Sequence, residues 1–394
     1  MILKEYFYKQ NIKSKLLDCF RSSGLYLTIK RNNRTIYIYP KIHAVVKKEN
    51  ENSTYITFTL LNGIDPKELK KKYYVFQQYF GKLIDLQGDL KKYTLYIYHK
   101  PLQSNLIYSY KDLVPYFEDI SFPIVTGQKK NGRYLVLDAL ELPHVIIQGT
   151  TGSGKSSAIR VILTTLIKYF KPSELEIYCI DGKKAEFGLF KKVEHVQSVV
   201  HSNKHAKDTL NYVVKDMSKR EDLLDTFDVP HINDLPTEHR QKYILVAVDE
   251  FIEYLGDKAI MESIIRITSK GRAVGIILLA SAQRMDADIM DTKARTNFNI
   301  RMSFRTVDKT NAMLLGTKGA ELIKREEKGR FILNSGEIEE LQSPHLTYKK
   351  AKELLNPYYV IKGRVKEVND DSQLKRESYL KLESNKNNEL DFFL

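Results

Sequence analysis

Residues His144–Leu163 read HVIIQGTTGSGKSSAIRVIL: an apolar run, a glycine-rich turn ending in Lys-Ser, and a second apolar run. Within it GTTGSGKS, Gly149–Ser156, satisfies G-x-x-x-x-G-K-[ST]. Glycines there let the backbone curl its N–H groups around phosphates, and the helix that follows adds its positive N-terminal end. The nucleotide-holding residues are therefore expected to be Gly149, Thr150, Thr151, Gly152, Ser153, Gly154, Lys155, Ser156 and Ser157. Lys155 would reach the β- and γ-phosphates of ATP, and Ser156 would hold Mg²⁺. The eight-residue pattern alone has false positives. Here it follows an apolar strand and opens a helix, which is the context it requires.

A phosphate loop needs a second strand to bring a carboxylate to the metal. YILVAVDE does so, ending in Asp249 and Glu250. Asp249 is expected to bind Mg²⁺ and the nucleotide site, mainly through water, and Glu250 to orient and deprotonate the attacking water. Adjacent Asp and Glu suit a hydrolase better than a kinase. A third strand, GIILLASAQR, ends in Gln283, placed to sense the γ-phosphate. Upstream, KGRAVG carries Arg272, a lone arginine at a helix-to-strand turn, a position usually filled by a simple surface residue.

These runs belong to a larger texture. From about residue 119 to 357, short all-apolar segments (HVIIQG, LEIYCID, YILVAVDE, GIILLASAQ, NIRMSF) alternate with helical stretches. Strands apolar on both faces imply a parallel sheet flanked by helices, an α/β domain. Residues 1–118 differ. LYLTIKRNNRTIYIYP reads as two strands around RNNR, STYITFTLL and KYTLYIYHKP as two more, and DPKELKKKYYVFQQYFGKLI as one helix capped by Asp65. That is a smaller α+β domain. Its tyrosines suit base stacking or, more simply, sheet packing.

Charge separates the two parts as well. The chain carries +14, and residues 1–118, with 20 basic and 10 acidic residues, supply +10 of it. Such an excess favours a polyanionic partner, nucleic acid above all. The two cysteines, Cys19 and Cys179, make neither a metal spacing nor a disulfide framework, as expected in a reducing cytoplasm. No apolar run approaches the roughly 20 residues that span a bilayer, so direct membrane insertion is not expected. Residues 358–394 turn polar and charged and read as a flexible tail. Its tip (Glu389, Asp391, Phe392, Phe393, Leu394) suits docking in a partner's basic-rimmed groove, or folding back on the motor.

Taken together, these segments resemble the FtsK/SpoIIIE family of DNA-pumping ATPases over about residues 120–350. PHVIIQGTTGSGKS is similar to that family's phosphate-loop run, and CIDGKKAEFGLF stands where it has a D-P-K-x-x-E-L-like segment, with Gly182 in place of proline. Asp216, Met217 and Arg220 match its E/D-M-x-x-R helix, and VAVDEFIEYL its Walker B segment. KGRAVGIILLASAQR resembles R-A-x-G-I-H-L-x-L-A-T-Q-R, with Ile277 for the histidine and Met285 for the proline that follows.

The resemblance implies a RecA-like P-loop ATPase that assembles as a homo-hexamer around double-stranded DNA. It implies that Arg272 reaches into the neighbouring subunit's site. The family's membrane-spanning N-terminus and winged-helix module have no counterpart in these 394 residues, which suits the compact members of plasmids and integrative elements. The expected function is ATP-driven translocation of duplex DNA in conjugative transfer or element replication, with a relaxase or transfer-channel protein as a further partner. Two other readings stand beside it: a type VII-like protein-secretion ATPase and a non-translocating DNA-binding adaptor.

Overall fold

The structure is a computed structural model that describes residues 2–32, 34–184, 186–254, 256–285 and 295–360. The tail tip at 386–394 lies outside the described residues. The chain divides into two compact units. One comprises residues 1–106 with 126–135 and 340–343, and the other 107–125, 136–339 and the described residues from 344 onward.

The first unit opens with helix α1 (Ile2–Ser23), then strands β1 (Leu27–Arg31), β2 (Arg34–Ile38), β3 (Lys41–Lys48) and β4 (Ser53–Thr59). Helices α2 (Pro66–Lys71) and α3 (Tyr73–Phe80) follow, then β5 (Ile84–Asp89) and β6 (Lys92–Tyr98). β1 and β2 form a hairpin of their own, while the other four make an antiparallel sheet in the order β3-β4-β6-β5. Period-two alternation explains the sheet: Ile56 and Phe58 on β4 and Leu95 and Ile97 on β6 point into one core with Phe20 and Phe76. Each such buried side chain contributes about 1.5–3 kcal/mol.

Two expectations change here. The N-terminal segment is helical, α1 burying Leu16, Cys19 and Phe20 at helical spacing while Leu3, Tyr6 and Phe7 stay exposed. The single helix expected from Asp65 onward breaks at Lys72 into α2 and α3, and Ile84 already belongs to a strand. Asp65 does cap it, accepting from Lys67 N–H at 2.8 Å. The tyrosines of β4 and β6 pack on one another, Tyr55 against Tyr96 edge to face at 4.9 Å.

A short helix α4 (Tyr110–Leu113) of the second unit leads to β7 (Pro123–Gln128) and β8 (Tyr134–Asp138), of which residues 126–128 and 134–135 belong to the first unit. There follow β9 (Val145–Gln148), α5 (Lys155–Tyr169), β10 (Leu175–Asp181), β11 (Val196–Val200), α6 (Asn203–Phe227), β12 (Tyr243–Asp249), α7 (Lys258–Lys270) and β13 (Ile276–Ala282). The chain continues through β14 (Ile300–Phe304), α8 (Lys309–Leu314), β15 (Arg330–Asn334), β16 (Ile338–Gln342) and α9 (Tyr348–Leu355). Strands run in the order β11-β10-β12-β13-β9-β14-β15, parallel except for β15.

β9, β10 and β13 are buried along their whole length, as strands covered on both faces must be. Helix α6 is fixed across them by one buried arginine. Arg220 donates to Asp216 Oδ2 at 2.8 Å, to the Lys242 carbonyl at 2.7 Å and to the Val274 carbonyl at 2.9 Å. It thereby ties the helix to the approaches of both β12 and β13. The Asp216–Arg220 motif is thus a clamp for the strands that carry the site.

Candidate nucleotide site

In a parallel sheet ligands gather at the carboxyl ends of the strands. The carboxyl ends of β9, β12 and β13 carry the residues singled out above. β9 ends in Gln148, and the loop from Gly149 delivers Lys155 onto the first turn of α5. β12 ends in Asp249, and Glu250 follows in a left-handed conformation at φ 49°. A non-glycine residue there costs about 1–2 kcal/mol. The turn it makes leads from strand into the tight helical turn Phe251–Tyr254.

The loop is held open by backbone contacts that only glycine permits. Gly154 sits at φ +117°, and a Cβ on it would lie 2.8 Å from both the Cα and the N of Gly329. Gly329 N–H donates to the Ser153 carbonyl at 2.8 Å in the same place. On its other side the loop leans on the end of β14, where Thr150 N–H donates to the Arg305 carbonyl at 3.0 Å.

Four of the expected residues meet. Lys155 Nζ lies 3.1 Å from Glu250 Oε1 and 3.8 Å from Asp249 Oδ1, with all three residues buried. Gln283 N–H donates to Glu250 Oε2 at 3.3 Å, so the polar end of β13 touches the carboxylate through its backbone. The Gln283 side chain is exposed. Ser281, one turn of the pleat earlier, donates its hydroxyl to Asp249 Oδ1.

Burial is the largest influence on Asp249 and pushes its carboxyl above the ordinary value, against the Ser281 bond and Lys155. Burial acts the same way on Glu250. There the neighbouring Lys155 and Lys183 ammonium groups outweigh it and hold the carboxyl below its ordinary value.

Two expected residues stand elsewhere. Ser157 turns its hydroxyl away from the loop, accepting Leu346 N–H at 2.8 Å, so its side chain anchors the 344–346 segment. Arg272 precedes β13 while Gln283 follows it. Seven residues at about 3.3 Å each separate them by roughly 20 Å along the strand. Arg272 is exposed, and its Nε donates to the Leu140 carbonyl at 2.5 Å. His231 Nε2, 2.9 Å away, donates to the Arg272 carbonyl.

Three residues at the site stand outside the expected set, although Asp181 and Lys183 occupy the first and third positions of the D-P-K-like segment in CIDGKKAEFGLF. Asp181, at the end of β10, stands in register beside Asp249 and accepts the N–H groups of Glu186 and Phe187 at 3.1 and 3.0 Å. Lys183 places Nζ 3.3 Å from Glu250 Oε1 and 3.6 Å from Glu253 Oε1. Ser281 is the third. The D-P-K-like segment, following an apolar strand that ends in a charge, LEIYCID, is the cue that marks the first two.

Residues 116–287 match the model of the FtsK/SpoIIIE family. Over these residues the chain is similar to the FtsK/SpoIIIE family. Lys155, Asp249, Glu250 and Gln283 all fall within that match. The DNA translocase SftA of Bacillus subtilis (strain 168) is 32% identical over 228 residues, covering 55% of this chain and 24% of that protein. The DNA translocase FtsK of Tropheryma whipplei (strain TW08/27) is 29% identical over 239 residues, 56% of this chain and 32% of that protein. The chain thus spans about a quarter to a third of the length of these relatives.

Among solved structures, the pCW3 conjugation coupling protein TcpA, in its monomer form with ATPγS, superposes with a TM-score of 0.59 at 22% identity. That match covers 87% of this chain and 98% of TcpA. The cytoplasmic domain of the Thermomonospora curvata type VII secretion ATPase EccC gives 0.54 at 20% identity, over 60% of this chain and 31% of its own. At these identities the likeness is one of fold: a largely parallel sheet flanked by helices.

Proposed function

We propose that this chain is an ATP hydrolase that drives double-stranded DNA through a homo-hexameric ring, serving conjugative transfer or replication of a mobile genetic element. The observation that carries the proposal is the meeting of Lys155, Asp249 and Glu250 at the strand ends of the region similar to the FtsK/SpoIIIE family. A lysine that can leave two carboxylates for phosphates, beside a buried glutamate held ionised, is a hydrolysis site in waiting.

Each residue then has a task. Backbone N–H groups from Gly149 to Ser156 take the phosphates, and Lys155 exchanges its carboxylate partners for the β- and γ-phosphate oxygens. Ser156 and Asp249 fit Mg²⁺, since a hydroxyl and a carboxylate are the hard oxygen donors it takes alongside phosphates and water. Asp249 is already oriented by Ser281. Held there, Mg²⁺ would supply neutralisation of charge on the phosphate oxygens. Glu250, fixed by Gln283 N–H, orients the attacking water and accepts its proton. The Gln283 side chain, exposed at the strand end, senses the γ-phosphate. Arg272, at the far end of β13 from its own site, serves the next subunit's transition state.

Duplex DNA is the polyanion that matches the +10 of residues 1–118, and the curated relatives are DNA translocases. The fold likeness to a conjugation coupling protein supports the mobile-element setting, in which a relaxase or transfer-channel protein hands DNA to the ring. The proposed place of work is the cytoplasm, where duplex DNA and ATP are both at hand. Among the described residues no helix is long and apolar enough to cross a membrane.

The fold likeness to EccC favours one other reading, a protein-secretion ATPase. ATPase activity measured without DNA, with linear duplex and with single strands separates them. A translocase is stimulated most by duplex, whereas a rate indifferent to DNA rejects the proposal. No hydrolysis under any condition, with DNA still bound, would mark a binding adaptor.

A further inference from the structure

The site holds a cation that the phosphate-loop scheme does not use. Lys183, two residues past the end of β10, lies 3.3 Å from Glu250 Oε1, the same oxygen that Lys155 reaches from 3.1 Å. Glu250 therefore has two ammonium partners on one oxygen and a backbone N–H on the other.

The loop that carries Lys183 is fastened from three sides. Asp181 Oδ2 accepts the N–H groups of Glu186 and Phe187. The Asp181 carbonyl accepts from His201 Nδ1 at 2.8 Å. Gly182 packs so closely on the turn after Glu250 that a Cβ on it would lie 2.8 Å from the Tyr254 hydroxyl and 3.1 Å from Glu253 Oε2. Lys183 also lies 3.6 Å from Glu253 Oε1 on that same turn. Its place beside Glu250 is built by the fold.

Phosphates entering the loop take Lys155 as their partner, in line with the function proposed above. Glu250 is buried, and a buried carboxylate stripped of its cation is costly. The incoming γ-phosphate adds a second negative charge nearby. Lys155 can depart only as easily as Glu250 can do without it.

We infer that Lys183 is a positioning residue and the standby counter-ion of Glu250, neutralising the carboxylate when ATP draws Lys155 away and so lowering the cost of nucleotide binding. Lys183 acts through Glu250 and makes no phosphate contact of its own. Its absence therefore weakens ATP binding only while Glu250 carries a charge.

A double-mutant cycle on the full chain tests this, with mant-ATP binding measured by fluorescence in the absence of DNA. Lys183→Met should weaken binding by about tenfold, roughly what losing one charge-paired hydrogen bond costs. In the Glu250→Gln background the same change should cost less than about twofold, because no charge is left to neutralise. Lys183→Arg should bind within about threefold of wild type, since a cation remains.

An equal loss in both backgrounds would mean that Lys183 contacts phosphate directly, and no loss in either would mean that Glu250 does not need it. Either result overturns the inference. Failure of the wild-type chain to bind mant-ATP would instead reject the proposed function itself. Lys183 is exposed on a loop, so its replacement leaves the core intact.

Discussion

Ser281 and Asp249 are joined across neighbouring parallel strands, the hydroxyl at the end of β13 donating to the carboxylate at the end of β12. Burial lifts the Asp249 carboxyl above its ordinary value, and this bond works against that rise. Ser281→Ala removes the restraint, so Asp249 should take up its proton at a higher pH. The acid limb of the ATPase pH profile should then move upward, because the charged carboxylate loses the hydrogen bond that favours it. An unmoved limb would reduce Ser281 to packing.

Lys155 and Glu250 should separate binding from chemistry. Lys155→Ala is expected to lose most ATP affinity, since the phosphates lose their main cation. Glu250→Gln is expected to retain ATP while turnover falls about 10²-fold or more. Wild-type hydrolysis by Glu250→Gln would show that the base lies elsewhere.

Arg272 is roughly a strand's length from its own site, so its contribution to hydrolysis should come from across a subunit boundary. Arg272→Ala should spare ATP binding and cost about 10³–10⁵ in rate, as arginine fingers do. Mixed rings of Arg272→Ala and Glu250→Gln subunits should recover activity where an intact finger meets an intact base. Verified mixed rings that remain inactive would speak for a local role, such as the bond to Leu140.

The β1–β2 hairpin presents Arg31 and Arg34 as an exposed cross-strand pair. Duplex binding should fall steeply between about 50 and 200 mM salt, because phosphate neutralisation releases counterions. Replacing both arginines with alanine should flatten the salt slope by up to about two, near 0.9 for each phosphate left unneutralised. An unchanged slope would place the DNA path away from the hairpin.

His144 gives a stability test independent of nucleotide. It is fully buried at φ 63°, and its Nδ1 accepts Leu278 N–H at 3.0 Å. Burial holds its pKa down to about 3. Below an ordinary histidine value near 6.5 the unfolded chain gains a proton that the folded chain refuses. Stability should therefore drop by about 1.4 kcal/mol per pH unit from there down to about 3. His144→Asn tolerates the left-handed backbone, offers an amide oxygen in place of the ring nitrogen and does not titrate. Urea midpoints of the variant should decline less between pH 6.5 and 4 than those of wild type. Parallel declines would show that the ring charges in place.

Much of the second unit was legible because its strands are buried on both faces and so stand out as apolar runs. β9, β10, β12, β13 and β14 were all marked in this way, and the polar residues that end them marked the site. Strands β3, β5 and β11 were not, since they are partly exposed and mix charged residues, or in β11 Gln197 and Ser198, into their pattern. Helix α1 hid because only its second half buries an apolar stripe. The roles of Lys183 and Ser281 were illegible for another reason. Lys183 falls in the D-P-K-like segment, but its contact with Glu250, like that of Ser281 with Asp249, spans strands adjacent in space, and only the order β10-β12-β13 brings them together.

The approach of Gly154 to Gly329 has a mechanical consequence. Two backbones that meet without side chains between them, joined by Gly329 N–H on the Ser153 carbonyl, have no slack to absorb motion. A displacement of the phosphate loop on filling or emptying must carry the chain leading into β15 with it, like one link pulling the next. On the function proposed above, nucleotide entry would reach β15 there first, as a push from one peptide plane on another before any side chain has changed its partner.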